Sequence, residues 1–143
     1  MKLTAHLKHL EIRQREVKRA VERASVRPLV RAGTLVEREA KRSMKKGGAK
    51  GRVGPRGGYV RVPSPPGTPP HVQTGALRAS IQTAPEVRIG RPPVALVGPT
   101  EKYGAVHEFG GRHHPQRPFM RPALRRVQRR FPELFRNLRL GGP

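Results

Sequence analysis

The chain has 143 residues, 34% of them hydrophobic and 4% aromatic, with 31 Lys or Arg against nine acids and a net charge of +22. This length suits one domain of ordinary size. The apolar content is low for a fully packed globule, so a small core is expected, with arms and loops that gain order from neighbours. The absence of cysteine excludes a disulfide framework and a thiolate metal site, and every acid is Glu. A charge of this size calls for a polyanion nearby, whether nucleic acid, an acidic protein surface or an anionic membrane. No run approaches the ~18 consecutive apolar residues of a membrane span. The first residues also lack the apolar stretch of a signal peptide, so cytoplasmic synthesis is expected.

In chain order, residues 1–46 read as a basic helical arm. Leu3, Leu7, Leu10, Val17, Val21 and Ala24 recur at steps near three and four. Glu11 lies four residues before Arg15, a favourable spacing on a helix. Pro28 removes an amide donor and disfavours helix at Arg27, so a kink or short break is expected there. A second apolar stripe follows at Leu29, Ala32, Val36, Ala40 and Met44. A solvated arginine face around a narrow apolar seam accounts for most of this segment.

The composition changes at Lys45–Gln73, and residues 47–73 form a long loop rich in Gly, Pro and basic residues. A small hairpin fits within it, with Arg52-Val53 and Tyr59 to Val62 as arms. Its glycines do not make a phosphate loop, because no Gly-x-x-x-x-Gly-Lys-Ser/Thr is present. The loop could line a channel, clamp a neighbour or stay disordered.

Residues 74–143 read as an α+β core. The Thr74 hydroxyl can cap the turn that leads through Leu77 to Ser80 and Ile81. Two strands are expected next, one at Glu86–Ile89 and one at Val94–Val97, joined by Gly90-Arg91-Pro92-Pro93 as antiparallel neighbours. Tyr103, Val106 and Phe109 share one face of a short helix that Gly110 and Gly111 end. This aromatic turn and the Pro118-Phe119 anchor are expected to fix the core. The exposed basic loop RHHPQRP lies between them. Met120, Leu124, Val127, Phe131, Leu134 or Phe135, and Leu138 then mark a C-terminal amphipathic helix that Pro132 must kink or restart. Opposite them stand Arg121, Arg125, Arg126, Arg129, Arg130, Arg136 and Arg139, of which the first five are the candidate contacts to DNA or an acidic partner. Residues 141–143 are expected to fray. The expected fold is therefore long N-terminal helices, a small antiparallel sheet packed by helices, an amphipathic C-terminal helix and a long Gly/Pro-rich loop.

Catalytic patterns fail. His107-Glu108 opens like a zinc-protease His-Glu-x-x-His, but Gly111 stands where the second His is needed. His113 and His114 are adjacent in a loop, and no carboxylate or thiolate spacing supports a metal. Ser80 has no Asp to complete a triad, and Glu86, Glu101 and Glu108 lack a paired-carboxylate spacing. Neither an enzyme, a metal site nor a cofactor is expected.

Three blocks carry a resemblance. YGAVHEFGG and PQRPFMRPAL resemble the Tyr-x-x-x-x-Glu/Gln-Phe-Gly and x-x-Pro-Phe-x-x-Pro-Ala-Leu signatures of tailed-bacteriophage neck, tail-completion and minor tail proteins. SPPGTPPHVQTGALRASI is similar to that family's Thr-Gly-x-Leu-x-x-Ser-Ile block, and together they span Ser64 to Leu124. Val106 to Gly111 also resembles the virion-morphogenesis group of contractile-tailed phages. The anchors carried over are Thr74, Gly75, Leu77, Ser80, Ile81, Tyr103, Glu108, Phe109, Gly110, Pro118, Phe119 and Pro122. The resemblance implies a structural protein of the virion, made in the host cytoplasm and assembled as a ring at the head–tail junction. There it would meet other connector and tail proteins and form part of the DNA conduit. Six- or twelve-fold symmetry would match connectors of that class. Composition alone fits an alternative equally well: a free-standing nucleic-acid-binding protein of ribosomal or nucleoid type.

Overall fold

A computed structural model describes residues 2–46, 52–53, 59–60, 62–88, 91–136 and 138. Expectations for Ile89, Gly90, Arg139, residues 141–143 and most of the 47–61 stretch lie outside these residues, as do the side chains of Leu3, Leu7, Leu10 and Glu11.

The chain opens with a single helix, α1 (Lys2–Ser43), which runs unbroken through Pro28. Of the kink or short break expected at that proline, the break is absent and one continuous helix forms. An internal proline costs a helix about 3 kcal/mol, and packing beyond it offsets the loss. Ala32, Val36, Ala40 and Met44 are all buried, and Leu29 is half-buried. The apolar positions before Pro28 behave differently, with Val17 57% and Val21 41% exposed. At 42 residues, α1 is about 63 Å long, and among its described side chains those that join the core lie in its second half.

Strands β1 (Arg52–Val53) and β2 (Tyr59–Val60) pair antiparallel, forming the hairpin expected in the loop. The proline-rich stretch that follows is tied down at several points. The Val72 amide donates to the Lys45 carbonyl at 2.9 Å, and the Gly67 amide to the Gln116 carbonyl at 2.7 Å. Arg117 Nε donates to the Ser64 carbonyl at 2.9 Å.

Helix α2 (Ala76–Ser80) passes directly into β3 (Ile81–Glu86), which pairs antiparallel with β4 (Val94–Pro99) from Ile81↔Pro99 to Glu86↔Val94. The first strand was expected at Glu86–Ile89, so this is a shift toward the N-terminus. Val87 lies beyond the strand and is 64% exposed. The sequence Ile-Gln-Thr-Ala-Pro-Glu shows no apolar alternation, and it is held extended by its contacts instead. Pairing with β4 holds one side, and α1 lies against both strands. Ile81 is fully buried. Thr83 Oγ1 donates to Glu37 Oε2 at 2.7 Å, and Lys41 Nζ holds the other Glu37 oxygen at 2.6 Å.

Helix α3 (Tyr103–Phe109) follows, then α4 (Met120–Val127), a 3-10 turn (Gln128–Arg130) and α5 (Phe131–Phe135). Pro132 stands in the first turn of α5, so the helix restarts there as expected. The core joins α1, β3 and α4 through Val36, Ala40, Met44, Ile81, Phe119, Ala123 and Val127. The fold is α+β, with a two-stranded sheet packed by helices. Among the described residues no helix is long and apolar enough to cross a membrane.

Close approach of α1 to the sheet depends on Gly33. A methyl group there would stand 2.5 Å from Thr83 Cγ2 and 3.2 Å from Val97 Cγ2. Gly33→Ala is expected to destabilise the chain by about 1–3 kcal/mol through overpacking, despite the better helix propensity of Ala. Adding Thr83→Ser removes the nearer methyl while keeping a hydroxyl for Glu37, and should recover part of the loss. Urea denaturation of the single and double variants checks both expectations.

Candidate functional site

The family-like blocks meet where α3 hands the chain to α4. A helix leaves its first amides and its last carbonyls without intrahelical partners. At the start of α4 those amides belong to Phe119, Met120, Arg121 and Pro122. Glu108 Oε2 accepts from the Phe119 amide at 2.8 Å and the Met120 amide at 2.9 Å, and Oε1 accepts from the Arg121 amide at 3.0 Å. The fourth amide does not exist, because residue 122 is proline. One carboxylate from the preceding helix therefore caps α4 completely, with its negative charge at the positive end of the helix dipole.

The C-terminus of α3 is matched in the same way. The Val106 carbonyl accepts from the Gly110 amide at 2.8 Å, and the His107 carbonyl from the Arg117 amide at 2.7 Å. The Glu108 carbonyl accepts from an Arg121 guanidinium nitrogen at 3.2 Å. The Phe109 carbonyl accepts from Gln116 Nε2 at 2.9 Å. Gly110 makes the exit with φ 81° and ψ 173°, a conformation available almost only to glycine. The Arg121 guanidinium also pairs with Glu108 Oε1 at 3.2 Å and lies 5.0 Å from the centre of the Phe109 ring. The last four carbonyls of α3 and the three N–H groups that open α4 each have a named partner.

Glu108 is only 5% exposed. Burial alone would push its carboxyl up. The amides of Phe119, Arg121 and Met120, with the Arg121 side chain, outweigh that and hold it below its ordinary value. Glu37 is also held low, chiefly by Lys41 and then by Thr83.

Of the carried-over anchors, Phe119 and Ile81 are fully buried, and Ser80 is buried with its hydroxyl donating to the Leu77 carbonyl at 2.9 Å. Pro118 and Pro122 are half-buried on either side of Phe119. The Thr74 hydroxyl accepts from the Ala76 amide at 3.3 Å, and Gly75 holds the position just before α2. Thr74, Gly75, Leu77 and Tyr103 line one cleft. The aromatic turn does not fix the core, contrary to expectation. Tyr103, Val106 and Phe109 are 41%, 39% and 63% exposed, while the inward face of α3 is formed by Gly104 and Glu108. A methyl group on Gly104 would collide with the Pro99 ring, so that side of α3 lies directly on the end of β4.

The candidate arginines divide into two groups. Arg121 belongs to the junction, and Arg126 Nη1 reaches Glu39 of α1 at 3.1 Å. Arg125, Arg129 and Arg130 are exposed, and none pairs with a described carboxylate. Among the described residues no group of His and Glu is placed to hold a metal. Comparison of the chain with family models, characterised proteins and solved structures returned no match.

Glu108→Ala is expected to cost about 3–5 kcal/mol, since it strands three amides at a buried helix start and removes the partner of the Arg121 guanidinium. Glu108→Gln keeps an acceptor and should cost less. Both Glu108 and Glu37 have folded values below the ordinary 4.5. Their stabilisation is therefore present above that pH and is lost as pH falls through their folded values. Chemical denaturation at stepwise lower pH should show this decline in the parent chain and a flatter one in Glu108→Gln.

Proposed function

We propose that the chain is a structural subunit of a phage head–tail junction, assembling as a ring that completes the neck or tail and borders the DNA conduit. The observation that carries this reading is the physical unity of the resembling blocks. Glu-Phe-Gly and Pro-Phe-x-x-Pro are the two halves of one junction, in which each residue type has a defined task. Apolar surface left outside the core supports assembly between copies. It includes Val17 and Val21 on α1, Leu96 on β4 and the Tyr103–Val106–Phe109 face of α3. An apolar groove of about 340 Å³ also opens between α1, β4, α4 and α5, lined by Leu29, Val97, Leu124 and Phe135. Exposed apolar ridges and an apolar groove on one chain supply the two sides of a head-to-tail contact, and such contacts close into rings at a fixed rotation. Other connector and tail proteins, and packaged DNA, are the proposed neighbours.

Light scattering and electron micrographs of the purified chain test this reading, with closed rings as the expected result. The double variant Val17→Glu/Val21→Glu should shift the population to smaller species without loss of helical signal. A compact monomer at every concentration would overturn the ring.

The exposed Arg125, Arg129 and Arg130 favour the second reading, a free-standing nucleic-acid binder. Replacing all three with Gln should lower the salt dependence of DNA binding by about three counterions. Absence of binding at low salt would remove both direct DNA contact and this alternative.

A further inference from the structure

A cleft of about 450 Å³ lies between the proline-rich stretch, α2 and α3, away from the exposed arginines of the C-terminal helices. Among the described residues, six that line it are Arg or His: His71, Arg78, His107, His113, His114 and Arg117. No described carboxylate lines it. His71 Nδ1 donates to the Val62 carbonyl at 3.1 Å, which leaves Nε2 as its other ring nitrogen. Arg117 is fixed by its Nε bond to the Ser64 carbonyl, and its backbone amide is bonded to His107. The Gly111–His114 turn, bonded in both directions at 2.9 and 3.1 Å, holds the two adjacent histidines at the rim.

Like charges gathered in a concave site without a counter-charge raise the energy of the empty cleft and favour an anion. The ring of His107 shows the effect. Burial, then Arg117, then His114 push its proton affinity down, and an anion in the cleft would relieve the last two. The remaining lining includes the polar Ser64, Gln73 and Thr74 and a broad apolar part. Pro63, Pro70, Leu77 and Tyr103 belong to this apolar wall, with the Tyr103 ring edge-on to His107 at 6.1 Å between centroids. A bare inorganic anion would leave that wall unused. A second copy of this chain is a poor occupant, since it carries nine acids against 31 Lys or Arg.

We propose that this cleft binds a nucleoside phosphate, with the phosphate among Arg78, Arg117 and the histidines and the base against the Pro63–Pro70–Leu77–Tyr103 wall. The ligand is either a free nucleotide or one unit of a single strand.

Calorimetry with dAMP on the full chain tests this, together with protection of His71, His113 and His114 from diethyl pyrocarbonate. The expected result is saturable binding of dAMP and protection of the three histidines by it. Arg78 is exposed and makes no described hydrogen bond, so Arg78→Gln should fold normally and weaken dAMP about tenfold, the loss of one charge-assisted hydrogen bond. Arg23→Gln, on the far part of α1, should leave affinity unchanged. Competition by a short single-stranded oligonucleotide identifies a strand as the source; failure to compete identifies the free nucleotide. The proposal is overturned if dAMP gives no protection, or if Arg78→Gln binds as tightly as Arg23→Gln. Inorganic phosphate or poly-glutamate binding as well as dAMP would also overturn it, since charge alone would then suffice. The readouts concern the cleft only and stay informative whether or not the chain forms rings.

Discussion

One carboxylate holds two helix ends together. Glu108 leaves solvent at the last turn of α3 and gives both oxygens to the first amides of α4. A buried carboxylate is expensive unless every lone pair is used, and here the charge-assisted bonds make the cost recoverable. The arrangement also sets geometry. Phe119 must enter the core where α4 begins, and it is fully buried beside Ile81, Ala40 and Ala123. The loop between the helices can therefore be polar and proline-broken without loosening the fold, because both of its ends are tied to the same pair of helix termini.

From that junction the rest of the architecture follows. Helix α4 lies on α1, and α1 lies on the β3–β4 sheet, so α1 is the shared spine. Its contact residues are small. Ala32, Gly33, Val36 and Ala40 let the sheet and α4 approach closely, and Glu37 pins the sheet edge by bonding Thr83. Arg126 then links α4 back to Glu39 on the same helix. Four of the chain's nine acids, Glu37, Glu39, Glu86 and Glu108, are thus spent at contacts between elements or within them. The acids act as staples, and the surplus of arginine is left facing outward.

Part of this was legible in the sequence. The stripe Ala32–Val36–Ala40–Met44, the pairing of Arg52-Val53 with Tyr59-Val60, the restart at Pro132 and the glycine exit at Gly110 all follow from local chemistry, and each stands where periodicity or a special residue placed it. The failures have a common cause. At Pro28 a break stayed open beside a kink, because local rules weigh its lost hydrogen bond and not the packing on its far side. The first strand was expected at Glu86–Ile89 and not at Ile81–Glu86, because the partner strand and Glu37, not its own side chains, hold Ile81–Glu86 extended. Tyr103, Val106 and Phe109 looked like core because spacing of three is also the spacing of an exposed helix face. Glu108 was marked by resemblance alone. A glutamate eleven residues before a Phe carries no periodic signal for a cap, although Pro122, which removes the fourth amide, was a readable hint.

The charge imbalance then becomes a structural requirement rather than a property of composition. With a net charge of +22 and a small core shared by α1, β3 and α4, self-repulsion works against compaction outside that core. The fold answers by spreading its cations. They lie along the free half of α1, on the outer face of the C-terminal helices and around the cleft beside α3, three regions that the core keeps apart. Each is short of counter-charge within the chain, since the acids that pair are committed to holding elements together. Lowering that repulsion must come from outside, and it does so best where the cations are already fixed in place. Bonded Arg117, bonded His71 and the His114 turn lose little freedom on meeting an anion, whereas the long exposed arginines of α4 must be ordered first. Preorganisation, more than the number of charges, therefore separates the cleft from the arginine stripe as a place for a discrete ligand.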